Sequence, residues 1–255
     1  MVIMGPRRPH AVARLFCFPY AGAGASVFRE WPARLPEEIE VVGVQLPGRE
    51  NRFSEPRFDR ISSALGPLCE SIRELSDKPF YFFGHSMGAL LAFELTRALQ
   101  LAGAAMPFHL VVSGMRAPHL PGREEPHHLM DDETLLRKIV EYNGTPKELL
   151  REPELMRFFL PQLRDDFALF ETYQYLPGVT VRCSLTALGG DRDPNVSAAD
   201  VSAWTNVARG GFNQFIFEGD HFFLHPRAAE VLELLVRIGT DNRAACMGSE
   251  EIMRV

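Results

Sequence analysis

Three residues, Gly84-His85-Ser86, separate the short aromatic run at 80–83 from the long apolar stretch Met87–Leu101. The run FYFF reads as a strand, and MGALLAFELTRALQL has the length of a helix that is apolar on most sides and therefore buried. A chain that passes from strand to helix this quickly must turn sharply. Gly84 and Gly88 flank the turn and let strand and helix approach without Cβ clashes. Ser86 stands at the tip, beside the partial positive charge of the helix N-terminus. Gly-x-Ser-x-Gly in a strand–turn–helix context is the pattern of an activated serine nucleophile. A serine that merely caps the helix would account for Ser86 but not for both glycines.

The rest of the chain repeats the same alternation. Short apolar runs at 15–18, 41–46, 110–112, 181–188 and 212–217 read as further strands. Their near-continuous apolarity, as in VVGV, suits strands covered on both faces and hence a mostly parallel sheet. Between them lie helix signals. Ile61, Leu65, Leu68, Ile72 and Leu75 fall at helical spacing, with Pro67 expected to kink the helix, and Pro226 precedes AAEVLELLVRI as a first-turn proline. The fold class is therefore α/β, with a doubly wound sheet.

The rhythm breaks at 116–175, where no strand is read and helical stretches are expected at 132–142 and 153–175, the second interrupted by Pro161. A connection this long is better read as a helical lid over the C-terminal edge of the sheet, where such folds bind ligands. It offers Met156, Phe158, Phe159, Phe167, Phe170 and Tyr173 as apolar lining, and Gly144 as a flexible point. One domain is expected over 1–240, followed by a frayed tail at 241–255.

The net charge of −6 argues against nucleic acid or an anionic membrane as partner. No apolar stretch approaches the roughly 20 residues of a membrane span, and no signal peptide is read at the N-terminus. The four cysteines are scattered without metal-ligand spacing, so a reducing cytoplasm is expected and no metal or cofactor is called for. His127 and His128 are adjacent, and neighbours on a helix face different ways, which argues against a metal pair.

A serine needs a base oriented by an acid, in the chain order Ser, Asp or Glu, His. His221 follows the run at 212–217 in a Gly-Asp-His-Phe-Phe loop, which points it at the edge that carries the turn. His225, just before Pro226, reads as the start of the helix instead. The acid should follow the run at 181–188, where Asp191 and Asp193 compete. Asp193 is favoured for its depth in the loop, and Asp191 can serve the turn itself. The small residues of the loop 18–26, FPYAGAGAS, expose backbone amides. No Lys-Ser/Thr pair marks it as a phosphate loop. The amides of Ala21 and Met87 are the expected oxyanion hole.

With these residues in place, the chain resembles the type II thioesterases, the stand-alone editing enzymes of polyketide and nonribosomal peptide synthases. The resembling segments are CFPYAGAGAS (17–26), VQLPGRENRFSEP (44–56), FFGHSMGALLAFEL (82–95), GGDRDPNVS (189–197) with Trp204, and GDHFFL (219–224). The resemblance implies an α/β-hydrolase fold with a helical lid. It implies Ser86, Asp193 and His221 as catalytic triad, with Ala21 and Met87 as oxyanion donors. The implied reaction removes acyl groups from the phosphopantetheine thiol of an acyl or peptidyl carrier protein, by an enzyme expected to be monomeric. A product-releasing thioesterase or acyltransferase, a general acyl-coenzyme A hydrolase and a catalytically dead binding module are the alternatives. Arg49 of the Pro-Gly-Arg segment has no chemical role here beyond pairing with a carboxylate of the fold.

Overall fold

Alternate residues of the central strands enter opposite cores. Phe16 and Phe18 pack with Phe80 and Phe82 on one face, while Leu15 and Cys17 pack with Tyr81 and Phe83 on the other. This is why these strands read as continuous apolar runs: both faces are covered. The computed structural model describes residues 2–4, 7–122, 125–142 and 152–252, with 2–4, 153 and 242–252 described by backbone alone.

The strands are β1 (Val2–Met4), β2 (Ala13–Phe18), β3 (Ile39–Val44), β4 (Phe80–His85), β5 (His109–Ser113), β6 (Ser184–Gly190) and β7 (Phe212–Phe217). The described helices are α1 (Trp31–Arg34), α2 (Ile61–Glu74), α3 (Met87–Leu101), α4 (Asp132–Glu141), α5 (Pro153–Glu171), α6 (Ala198–Ser202) and α7 (Ala228–Ile252). The strand order is β1-β3-β2-β4-β5-β6-β7; β2 to β7 run parallel and β1 pairs antiparallel with β3 at the edge. Helices α2, α3 and α6 cover one face through Leu68, Leu91 and Val201. Helices α1 and α7 cover the other through Trp31, Val231 and Leu235. Among the described residues no helix is long and apolar enough to cross a membrane.

Between β5 and β6 lie a 3-10 turn (His127–Leu129), α4 and α5, with a small core of their own built from Leu135, Ile139, Met156, Leu160 and Phe167. Gly144 of this section lies outside the described residues.

Several boundaries differ from the sequence reading. Helix α5 continues through Pro161, which does not interrupt it, while α2 runs through Pro67 over the span read for it. Both prolines are exposed, as are Ser63 and Arg157 four residues earlier, so the carbonyls that lose a helical donor sit on the water side. The helix expected to reach 175 ends at Glu171. The strand expected from 181 begins at Ser184, with Val181 joined to Ala208 by an isolated bridge. β1 was not read at all, being three residues long. α7 carries helical backbone past Gly239 to Ile252. Loss of an apolar stripe removes the sign of a buried face, whereas Ala, Met and Glu still favour helix.

Candidate active site

The turn between β4 and α3 holds Ser86 at φ 52°, ψ −121°, a conformation rare for any residue with a side chain. Its N–H donates to the Ser113 carbonyl of β5 at 2.8 Å, which pins the turn to the next strand. A Cβ on Gly84 would stand 2.2 Å from the Gly88 carbonyl oxygen, and one on Gly88 would stand 2.2 Å from that of Phe18. Both glycines are thus required by close backbone approach, and the second brings the loop after β2 against the first turn of α3.

His221, in the loop after β7, is 7% exposed and reaches back to this turn. Its Nε2 lies 3.1 Å from Ser86 Oγ and its Nδ1 2.7 Å from Asp193 Oδ2. The Asp193 side chain is fully buried, and its other oxygen accepts the N–H groups of Asn195 at 2.9 Å and Val196 at 3.2 Å. One oxygen thereby fixes the carboxylate in its own loop while the other orients the imidazole, which keeps Nε2 facing the serine. Asp191 is half-exposed and accepts the Gly219 N–H at 2.8 Å, holding together the loops that carry Asp193 and His221. His225 turns to the Tyr20 hydroxyl at 3.1 Å rather than to Ser86.

His85 lies under the turn, with its ring 5.2 Å from that of His221 and its Nδ1 2.9 Å from Ser113 Oγ. Burial first, then the nearby His221 and His225, push its pKa well below the usual imidazole range. It is therefore neutral near pH 7 and adds no charge beside His221.

The amide of Met87 is in the first turn of α3, where no intrahelical acceptor exists. The amides of Ala21 and Met87 donate to no acceptor among the described residues. Ala21, Ser86 and His221 line a cavity of about 660 Å³. From the insertion, Tyr142, Met156, Phe159, Leu163, Phe167 and Phe170 also line it. Of the apolar residues expected as lining, Phe158 is elsewhere: it is exposed and stacks on Phe53 at 5.3 Å.

Two groups were missed from sequence. His127 and His128, expected to face apart, both direct Nδ1 to the carboxylate of Glu171 at 2.7 Å, one oxygen each. Glu171 also accepts both their backbone amides, at 2.9 and 3.0 Å. Burial opposes the charge on Glu171, but these hydrogen bonds together bring its pKa below the usual carboxylate value. The second group is Asp166 on α5, the unidentified partner in the carboxylate pairing expected of Arg49, at 2.7 Å. No local pattern in the sequence marks either carboxylate.

The profile of the thioesterase domain family matches residues 13–238. The gramicidin S biosynthesis protein GrsT of Aneurinibacillus migulanus is 41% identical over 227 residues, 89% of each chain. RedJ, the thioesterase of the prodiginine pathway in Streptomyces coelicolor, superimposes with a TM-score of 0.86 at 37% identity over 92% of both chains. BorB, the type II thioesterase of the borrelidin biosynthetic cluster, gives 0.85 at 34% identity, covering 92% of this chain and 96% of its own.

Proposed function

The chain belongs to the thioesterase family, and on that premise we propose that it hydrolyses acyl groups from the phosphopantetheine thiol of carrier proteins in polyketide or nonribosomal peptide assembly, clearing aberrant or stalled units. The observation that carries this reading is the continuous relay from Asp193 through His221 to Ser86, with spacings of 2.7 and 3.1 Å. His221 Nε2 accepts the hydroxyl proton as Ser86 Oγ adds to the thioester carbonyl. Asp193 holds the ring in the tautomer that leaves Nε2 free and stabilises the imidazolium that forms. The amides of Ala21 and Met87 receive the oxyanion. Collapse of the tetrahedral intermediate breaks the C–S bond, and His221 returns the proton to the departing thiolate. Water, deprotonated by His221, then repeats the addition on the acyl-serine and releases the acid.

The cavity volume of 660 Å³ falls within the range of about 300–1,000 Å³ of small-molecule sites. It suits an acyl chain together with the end of a thin pantetheine arm, while a carrier protein stays at the mouth. The test uses one acyl group on a carrier protein and on coenzyme A, at identical salt, with wild type and Ser86→Ala. The carrier-bound substrate is expected to have the higher kcat/KM, and Ser86→Ala should lose several orders of magnitude in turnover on both. Equal or better efficiency on coenzyme A would leave a general acyl-thioester hydrolase. Retention of more than about a tenth of wild-type turnover by the folded Ser86→Ala protein would remove Ser86 as nucleophile.

A further inference from the structure

Arg49 and Asp166 take no part in the chemistry above, yet their ion pair lies beside it, with side chains only 3% and 1% exposed. Arg49 sits between β3 and α2; Asp166 sits on α5, 117 residues later. The contact is two-pronged: Nη2 donates to Oδ1 at 2.7 Å and Nη1 to Oδ2 at 2.9 Å. Both partners then reach the loop after β2. Arg49 Nη1 donates to the Ala23 carbonyl at 3.0 Å, and Asp166 Oδ2 accepts the Gly22 N–H at 2.7 Å.

The loop is gripped elsewhere too. Gln162, one turn earlier on α5, donates to the Gly22 carbonyl at 3.1 Å, and Gln45 accepts the Ala25 N–H at 2.6 Å. Gly22 has φ +80°, and a Cβ there would lie 2.7 Å from Leu163 Cδ2, so the turn is fitted against α5. An apolar contact between loop and helix would hold them together without setting an angle. A guanidinium–carboxylate fork sets both plane and direction. The next residue back along this fixed loop is Ala21, whose amide is without an acceptor among the described residues.

We propose that Arg49 and Asp166 are positioning residues for the Ala21 amide, locking the loop after β2 to helix α5 so that this donor meets the developing oxyanion. The proposal rests on the serine-thioesterase reading and adds the device that aligns half of its oxyanion hole. An amide displaced by a fraction of an ångström leaves substrate binding intact but weakens transition-state stabilisation.

The decisive variant is the double substitution Arg49→Met/Asp166→Leu. It removes both charges at once, so no unpaired ion is left buried, and exchanges of this kind are commonly tolerated. The expected result is a folded protein with kcat lowered about tenfold to a hundredfold and KM changed less than about twofold. A trifluoromethyl ketone analogue, whose serine adduct carries an oxyanion, should lose affinity by the same factor. A thioether analogue with a methylene in place of the carbonyl should bind as before. Arg49→Lys, which keeps the charge but not the fork, should fall between. Asp165→Asn, which loosens the neighbouring surface pair with Arg57, should keep wild-type kcat. If the double variant does not fold, Asp166→Asn, which retains the shape, carries the same comparison of the two analogues. Wild-type kcat in the folded variant, or equal losses for both analogues, would overturn the proposal. Failure of the thioesterase reading is distinguishable, because the parent protein would then show no Ser86-dependent thioester hydrolysis.

Discussion

Replacing Ser86 by glycine should make the protein more stable than replacing it by alanine, although both variants lose the nucleophile. Ser86 is held at φ 52°, ψ −121°. For a residue with a Cβ this is a strained conformation, costing about 1–3 kcal/mol. For achiral glycine it is the mirror image of the ordinary extended region and carries no such penalty. Alanine keeps the Cβ and hence the strain. Both variants lose the hydrogen bond from Oγ to His221, so that loss cancels in the comparison. Glycine also gives the unfolded chain more freedom, which offsets about 0.4–1 kcal/mol of the gain. The balance favours Ser86→Gly over Ser86→Ala by roughly 1 kcal/mol. For a chain of this size that is a difference of about 2–4 °C in midpoint. Paired thermal and urea unfolding of the two variants measures it, with thioester turnover recorded to show that both are inactive. A glycine variant less stable than the alanine variant by about 0.4–1 kcal/mol, the entropy cost alone, would refute the idea that the turn stores strain.

Three further outcomes are expected. Asp193→Asn should lower kcat by about 10⁴-fold through the wrong imidazole tautomer, whereas Asp191→Asn, which loses only its grip on Gly219, should cost far less; equal losses would reassign the acid. His109, hydrogen-bonded to Thr186 Oγ1 at 2.8 Å, has its pKa lowered by burial to about 4. Between pH 6.5 and that value the unfolded chain binds the extra proton, so its stabilising contribution is complete above the upper limit and is lost as pH falls through the window. His109→Gln should therefore flatten the acid side of the stability profile by at most about 1.4 kcal/mol per pH unit, read from urea midpoints between pH 7 and 4; an unchanged slope would contradict the shift. In hydrogen exchange, amides of α4 should exchange faster than those of β4, with the turn around Asp166 the best protected part of the helical section. Equal protection in α4 and β4 would describe a rigid cover instead of a lid.

The sequence by itself determined the α/β class, because strands buried on both faces must be apolar at nearly every position, and runs such as FYFF carry that requirement openly. It also determined the turn at Ser86, where Gly84 answers to the backbone of Gly88 four residues on, although the contact that requires Gly88, with the Phe18 carbonyl, forms only in the folded chain. That His221 and Asp193 lie beside this turn was legible for a related reason. In a parallel sheet the loops after successive strands open at one edge, so chain order alone brings their residues near the turn. Proline was misread as an interruption at 161, because whether the freed carbonyl meets water depends on which side of the helix faces the core. Tertiary structure alone decided the pairings that surround the site. Glu171 collects two adjacent imidazoles, and Asp166 meets Arg49 across 117 residues, joining α5 to the loop of Ala21. Periodicity reports only whether a side chain is buried, and a buried carboxylate on a helix has no sequence mark of the cation that makes its burial tolerable. That partner is selected by packing distance, which exists only once the sheet and its insertion have come together.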